Sequence, residues 1–130
     1  MICGQTDHSP LVLAYLGDSY FETIAREYLI SGTDVRPAEL NQLAKEIVTA
    51  SSQASIAEKM LPLLTEEEKN IYKAGRNAKS PHRSRTASAI AYRMATGLEC
   101  LFGYFWLNGM QERAKELFLS CVASKEEEAK

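Results

Sequence analysis

Cysteine is scarce in this chain, and what there is does not form a pattern. Cys3, Cys100 and Cys121 are odd in number and share no CxxC spacing, which argues against a disulfide framework and against a cysteine zinc site. Histidine is scarcer still: His8 and His82 lie far apart, and no nucleophile–base pair can be built on them. No apolar run reaches the roughly 18 residues of a membrane span. Asp18 and Glu22 interrupt the first apolar stretch, and Glu99 interrupts the last long one. The N-terminus, MICGQTD, lacks the basic and apolar regions of a signal peptide. Strand-like alternation of apolar and polar residues is absent throughout. These absences predict an all-α, reduced, cytoplasmic protein with no membrane association, organised as one domain over residues 1–130.

One further absence is local. Between Lys69 and Leu98 there is no Asp or Glu, while Lys69, Lys73, Arg76, Lys79, Arg83, Arg85 and Arg93 all fall there. The net charge of −2 therefore conceals a basic block of seven on a remainder that carries eight basic residues against seventeen acids. Such a block suggests an anion-binding surface on an acidic body. Charge alone leaves a solvated loop between helices equally open.

Against this background the helical signals are clear. Ser9-Pro10 is an N-cap followed by proline at the first helical position, and the helix it opens should run to about Ile30 and stop at Ser31-Gly32. Apolar residues surround most of this helix, which predicts a central position and an apolar surface large enough to take part in a dimer interface. Pro37 opens the next helix. The small, polar stretch Thr49 to Ala57 either continues it with a bend or starts another. Thr65-Glu-Glu-Glu68 fits a capping box, and the short helix behind it should end at Gly75. The segment from Arg76 to Arg85 has no hydrophobic periodicity and reads as an exposed basic loop. A long helix resumes at about Thr86 and ends at Asn108-Gly109. A last one begins near Gln111, with a frayed tail over about 125–130.

Two acids stand out because they sit in apolar helices. Asp18 follows Gly17 among Leu13, Tyr15, Leu16, Tyr20 and Phe21, and Glu99 lies in TGLECLFGY. A carboxylate in such surroundings is unfavourable to bury unless something pairs with it. Glu22 and Arg26 continue the polar stripe of Asp18 at four-residue steps, while Tyr92, Thr96, Glu99 and Gly103 share a face. Glycine beside each acid leaves room for an ion or a phosphate. Magnesium commonly takes one or two carboxylates and keeps several waters, and an ion so held promotes phosphodiester hydrolysis. The alternative makes both acids structural partners of Arg26, Arg93 or tyrosine hydroxyls. Cys100, beside Glu99, reads as a small core residue.

The wording of these stretches carries a resemblance. LAYLGDSYFE, around Asp18, resembles the signature helix of the ribonuclease III family, and LECLFGY, around Glu99, resembles that family's second acidic motif. GRNAKS at 75–80, YRMATGLE at 92–99 and GYFWL at 103–107 resemble the Mini-ribonuclease III branch, which has no appended double-stranded-RNA-binding domain. The likeness extends from about Pro10 to Phe118. Ala14 and Thr96 stand where the larger family has further acids, a difference the Mini branch shares, and Ser88 stands where that branch commonly has Asp.

The resemblance implies a ribonuclease III endonuclease-domain helical bundle and a homodimeric, Mg²⁺-dependent endoribonuclease. It would cut double-stranded RNA, most fittingly a precursor of large-subunit (23S) ribosomal RNA in ribosome biogenesis. Asp18 and Glu99 would be the catalytic, metal-holding residues, with Glu22 and Thr96 as outer candidates. Arg76, Asn77, Lys79, Arg83 and Arg85 would hold the RNA, and a ribosomal protein is a candidate for presenting it. The alternative within the same fold is a catalytically idle RNA-binding or ribosome-associated relative; outside it stands a purely structural helical dimerisation domain.

Overall fold

The computed structural model describes residues 8–31, 36–78 and 86–129, with side chains as far as Val122. Among the described residues there is no strand. Six helices follow in order: α1 (Pro10–Ile30), α2 (Pro37–Val48), α3 (Ala50–Met60), α4 (Glu66–Ala78), α5 (Ala87–Leu107) and α6 (Gln111–Ala129), with a 3-10 turn at Leu61–Leu63 between α3 and α4. No described helix is long and apolar enough to cross a membrane.

Most boundaries follow from side-chain chemistry at the helix ends. The Ser9 hydroxyl accepts from the Val12 amide at 3.3 Å, and Pro10 fills the first helical position, where its missing N–H has no intrahelical role. Thr49 resolves the question of the small polar stretch. Its backbone is extended, at ψ 157°, and its hydroxyl caps Ser52 at 3.3 Å, so α3 is a new helix and not a bent continuation of α2. Pro62 then sits within the tight turn that ends α3. Thr65 and Glu68 form the anticipated capping box reciprocally: the Glu68 amide donates to the Thr65 hydroxyl at 3.1 Å, and the Thr65 amide donates to Glu68 Oε1 at 2.9 Å. Thr86 caps α5 through the Ala89 amide, and Gly109, at φ 70°, turns the chain between α5 and α6.

One expectation about ends is corrected. Helix α4 does not stop at Gly75 but runs on to Ala78, so Arg76 and Asn77 belong to its last turn and not to the basic loop expected over 76–85. Gly75 is buried, and its missing side chain serves packing and not termination. A Cβ there would lie 2.5 Å from Cβ of Cys100 and 3.1 Å from Cα of Gly97. At the other end of the chain, α6 is helical through Ala129, beyond Lys125, where the reading of the sequence sets a frayed tail. Cys3, Gly32, Lys79, His82, Arg83 and Arg85 lie outside the described residues.

Helix α5 is the axis of the bundle, packed on one side by α1 and on others by α3 and α4. Its run from Ala95 to Phe105 is buried apart from half-buried Glu99. The centre is aromatic. Phe21 meets Phe102 edge-on at 5.3 Å and Phe118 at 5.5 Å, and Phe102 meets Phe105 at 5.5 Å. All four rings are fully buried, a contribution of about 2 kcal/mol each from apolar burial. Edge-to-face contacts suit the charge distribution of the rings. Cys121 is buried in this cluster, and Cys100, as expected of a small core residue, is buried in a separate one with Leu13 and Ala14.

Candidate active site

The close crossing of α1 and α5 depends on two glycines. A Cβ on Gly17 would fall 1.6 Å from the carbonyl oxygen of Glu99 and 2.7 Å from the amide nitrogen of Gly103. A Cβ on Gly103 would fall 2.1 Å from the carbonyl oxygen of Leu13. The helices touch backbone to backbone, and no rotamer change could make room for a side chain. The consequence for the acids is direct. Asp18 is the residue after Gly17, and the Glu99 peptide is seated against Gly17 itself, so residues 81 apart in sequence come from one point of contact.

Helix α1 is two-faced at this point. Leu13, Ala14, Gly17, Tyr20, Phe21, Ile24 and Ala25 are buried, while Tyr15, Asp18, Ser19 and Arg26 are exposed and Glu22 is half-buried. Asp18 is therefore not buried: of its apolar neighbours in the chain, Leu13, Tyr20 and Phe21 face the core and Leu16 is half-buried, while Tyr15 is exposed, and a step of 3.6 residues per turn carries Asp18 away from the core as well. Among the described residues the Asp18 carboxylate has no hydrogen bond or ion pair. It lines an open groove of about 620 Å³ together with Tyr15, Leu16, Ser19, Glu22, Thr23 and Arg26. The Arg26 guanidinium, one of the partners considered for a buried acid, is paired instead with Glu22 one turn away. Glu99, on α5, is half-buried beside the crossing and engaged with a neighbour. Thr96 is buried, and its hydroxyl donates to the Tyr92 carbonyl at 3.0 Å.

On its other flank α5 receives the end of α4. A Cβ on Gly97 would lie 2.8 Å from both Cε1 and the carbonyl oxygen of Tyr72, and the Cys100 thiol donates to the Ile71 carbonyl at 3.5 Å. Burial pushes that thiol up to about 11, so it stays protonated and is no nucleophile. This contact brings Arg76 and Asn77 to the turn of α5 that carries Glu99. Arg76 Nε donates to Asn77 Oδ1 at 3.2 Å. At the start of α5 the hydroxyls of Thr86 and Ser88 lie 3.5 Å apart, both exposed.

The chain does contain a buried, paired acid, and sequence reasoning assigned it only half of its role. Glu68 is 3% exposed. Arg113 reaches it across the fold from α6, with Nε donating to Oε2 at 3.0 Å and Nη2 to Oε1 at 2.9 Å, while Nη2 also donates to the Leu63 carbonyl at 3.0 Å. The capping box was legible, but nothing local announces a partner 45 residues away. Also unforeseen are the bond from the Tyr104 hydroxyl to Glu67 Oε2 at 3.0 Å and the buried Tyr20 hydroxyl, which has no acceptor among the described residues.

The donor set at the α1–α5 crossing suits a hard cation with a mostly aqueous shell. Among the described residues no three His, Cys, Asp or Glu side chains converge as a protein-only metal cage. What the crossing offers is two acids on touching helices, one exposed and without a partner among the described residues; the room expected beside the glycines for an ion or phosphate is instead filled by the facing helix. Such donors fit a hard divalent cation that keeps waters and substrate oxygens alongside one or two carboxylates.

Comparison with known proteins bears on the family and the fold. The family model described as the ribonuclease III domain matches residues 11–110. Among curated proteins, the Mini-ribonuclease 3 of Enterococcus faecalis is 44% identical over 114 residues, covering 86% of each chain. That of Brevibacillus brevis is 41% identical over 121 residues, covering 93% of this chain and 90% of its own. Among solved structures, a protein from Fusobacterium nucleatum superposes with a TM-score of 0.75 at 34% identity, over 92% of this chain and 96% of its own.

Proposed function

The chain belongs to the ribonuclease III family and is an endoribonuclease acting on double-stranded RNA, and on that premise we propose that it works as a Mg²⁺-dependent homodimer maturing large-subunit (23S) ribosomal RNA. The observation that supports this reading is the Gly17–Glu99 contact, which supplies two carboxylates at one crossing while leaving Asp18 exposed and unengaged among the described residues.

Asp18 and Glu99 would hold the ion through their negatively charged oxygens, and the glycines keep the two helices that carry them in close contact. When bound, Mg²⁺ supplies an activated water and neutralises charge that develops on the phosphate. Glu22 holds Arg26 in the groove wall, so that this cation is kept beside Asp18 without neutralising it. Arg76 and Asn77, with Lys79, Arg83 and Arg85 beyond them, bind RNA phosphates. A-form duplexes are recognised by shape and backbone, so this basic stretch takes the part that a separate binding domain has elsewhere. Exposed Leu11, Val12 and Tyr15 on α1 give the homodimer an apolar contact beside the groove. A cytoplasmic setting and a ribosomal protein presenting the precursor RNA complete the proposal.

The test is cleavage of a defined RNA duplex with Mg²⁺ and with the ion chelated. Cuts in both strands that require the ion support the proposal. Duplex binding without cleavage under either condition would make the chain an idle relative.

A further inference from the structure

We propose that Tyr72 is a positioning residue for substrate binding: its ring, seated where Gly97 opens the surface of α5, holds the Arg76 guanidinium ready for an RNA phosphate. The inference rests on the reading of Arg76 as a phosphate contact.

The arginines of this protein are not equivalent. Arg26 pairs with Glu22, Arg36 lies 3.6 Å from Glu39, and Arg113 is gripped by Glu68. Among the described residues no carboxylate pairs with Arg76. Its cation lies instead over an aromatic face, with Cζ 5.8 Å from the centroid of Tyr72, four residues earlier on the same side of α4. Nε is occupied by the Asn77 side chain at 3.2 Å. One face and one nitrogen are thus engaged by neutral groups, and no described residue engages the two terminal nitrogens, which suit an anion. Arginine binds phosphate through such a planar fork, so a neutral support that fixes the fork's plane without consuming its charge is what this task requires.

The support is itself rigid. Tyr72 is 1% exposed, and its ring lies so close to Gly97 that a Cβ there would approach Cε1 and Cδ1 to 2.8 and 2.9 Å. Gly75, the residue before Arg76, is pressed on Cys100 just as closely. The last turn of α4 is therefore seated on the α5 turn between residues 97 and 100, the turn that carries Glu99. A guanidinium held on this platform has lost much of its rotamer freedom before RNA arrives, and its position is tied to the catalytic acid through one packed contact. An aliphatic residue at 72 could fill the space but would offer no electron-rich face.

The experiment replaces Tyr72 by Phe and by 3,4,5-trifluorophenylalanine, which keeps the shape of the ring while cancelling its negative face, both in the natural chain and in the Arg76→Ala variant. Affinity for a defined RNA duplex is measured without divalent ion, together with its salt dependence, and KM and kcat with Mg²⁺. Tyr72→Phe should bind within about twofold of the natural chain. The trifluoro ring should weaken binding and raise KM about threefold, with kcat unchanged. In the Arg76→Ala background it should add nothing. Equal weakening in both backgrounds, or a fall in kcat with KM unchanged, would show that the ring acts through packing and would overturn the inference. So would a trifluoro variant that binds like Tyr72→Phe while Arg76→Ala lowers the salt slope by about one unit. If Arg76→Ala itself leaves affinity and slope unchanged, the phosphate-contact reading fails, and the inference falls with it.

Discussion

Glu68 and Asp18 are both acids on helices packed against α5, yet the fold treats them in opposite ways. Glu68 is enclosed, capped by the Thr65 amide and gripped by two Arg113 nitrogens, so its charge is spent on joining α4 to α6. Asp18 stands in an open groove with no partner among the described residues, while the residue before it is pressed on the backbone of a second acid. A carboxylate that stabilises the fold is buried and saturated. One that awaits a ligand is positioned rigidly by its backbone and left with its oxygens open. Burying an acid requires compensation for lost hydration, which Arg113 provides, whereas leaving one exposed requires none and preserves its affinity for a cation.

That contrast can be broken most severely at Asp18 and its candidate partner Glu99. Asp18→Asn and Glu99→Gln keep shape but remove the charge that would fix the ion. Single-turnover cleavage of duplex RNA should fall by orders of magnitude for each, with duplex binding retained, and the melting temperature of Asp18→Asn should be unchanged or raised. Gly17→Ala attacks the crossing instead of the charge. Its Cβ meets backbone and not a movable side chain, so unfolding in urea should show a loss of about 3 kcal/mol, outweighing the better helix propensity of alanine. Cleavage should fall as well, because α1 can no longer rest against Glu99.

Glu68→Gln is the converse case. It should lower stability by about 2 kcal/mol, since Arg113 loses a charged partner while keeping the Leu63 carbonyl, and the folded fraction should cleave normally. Acid sharpens this prediction. Burial pushes the Glu68 carboxyl up, but the hydrogen bonds from Arg113 and the Thr65 amide outweigh it and hold the group below the ordinary glutamate range. Because the folded value lies under the unfolded one, the pair's stabilisation is complete above the ordinary range and is lost as pH falls through the lowered value. Melting temperature should therefore decline more steeply with acidification in the natural chain than in Glu68→Gln. The smallest effect is expected at Cys100, whose thiol sits beside Glu99 but is pushed up to about 11 by burial. Iodoacetamide at neutral pH should leave it unmodified in the folded protein, as peptide mapping would show, and alkylate it only on unfolding.

Much of the fold was legible because its signals are local. Ser9-Pro10, Pro37, Thr65 with Glu68, Thr86 and Asn108-Gly109 each act through backbone groups a few residues away, and each marks a real boundary. What failed needed knowledge of what packs against what. Gly75 reads as a stop, but its meaning lies in Cys100 and Gly97, on another helix. Asp18 reads as buried because apolar residues surround it in the chain, yet only the position of α5 decides which face of α1 turns inward. Arg113 carries no mark of its bond to Glu68. The glycine beside Asp18 was legible in the sequence, but not that it seats the Glu99 peptide of another helix. The platform under Arg76 was not, since Tyr72 looks like any other core aromatic.

The claim that Asp18 and Glu99 hold an ion while Glu68 and Arg113 hold the fold has a direct test that does not depend on cleavage. Metal-free protein is melted by calorimetry with and without Mg²⁺, for the natural chain, the double variant Asp18→Asn with Glu99→Gln, and Glu68→Gln. A ligand that binds only the folded state raises its melting temperature. The natural chain should rise on adding Mg²⁺, the double variant should not, and Glu68→Gln should show the full rise from a lower starting point. An equal rise in the natural chain and the double variant would contradict the account.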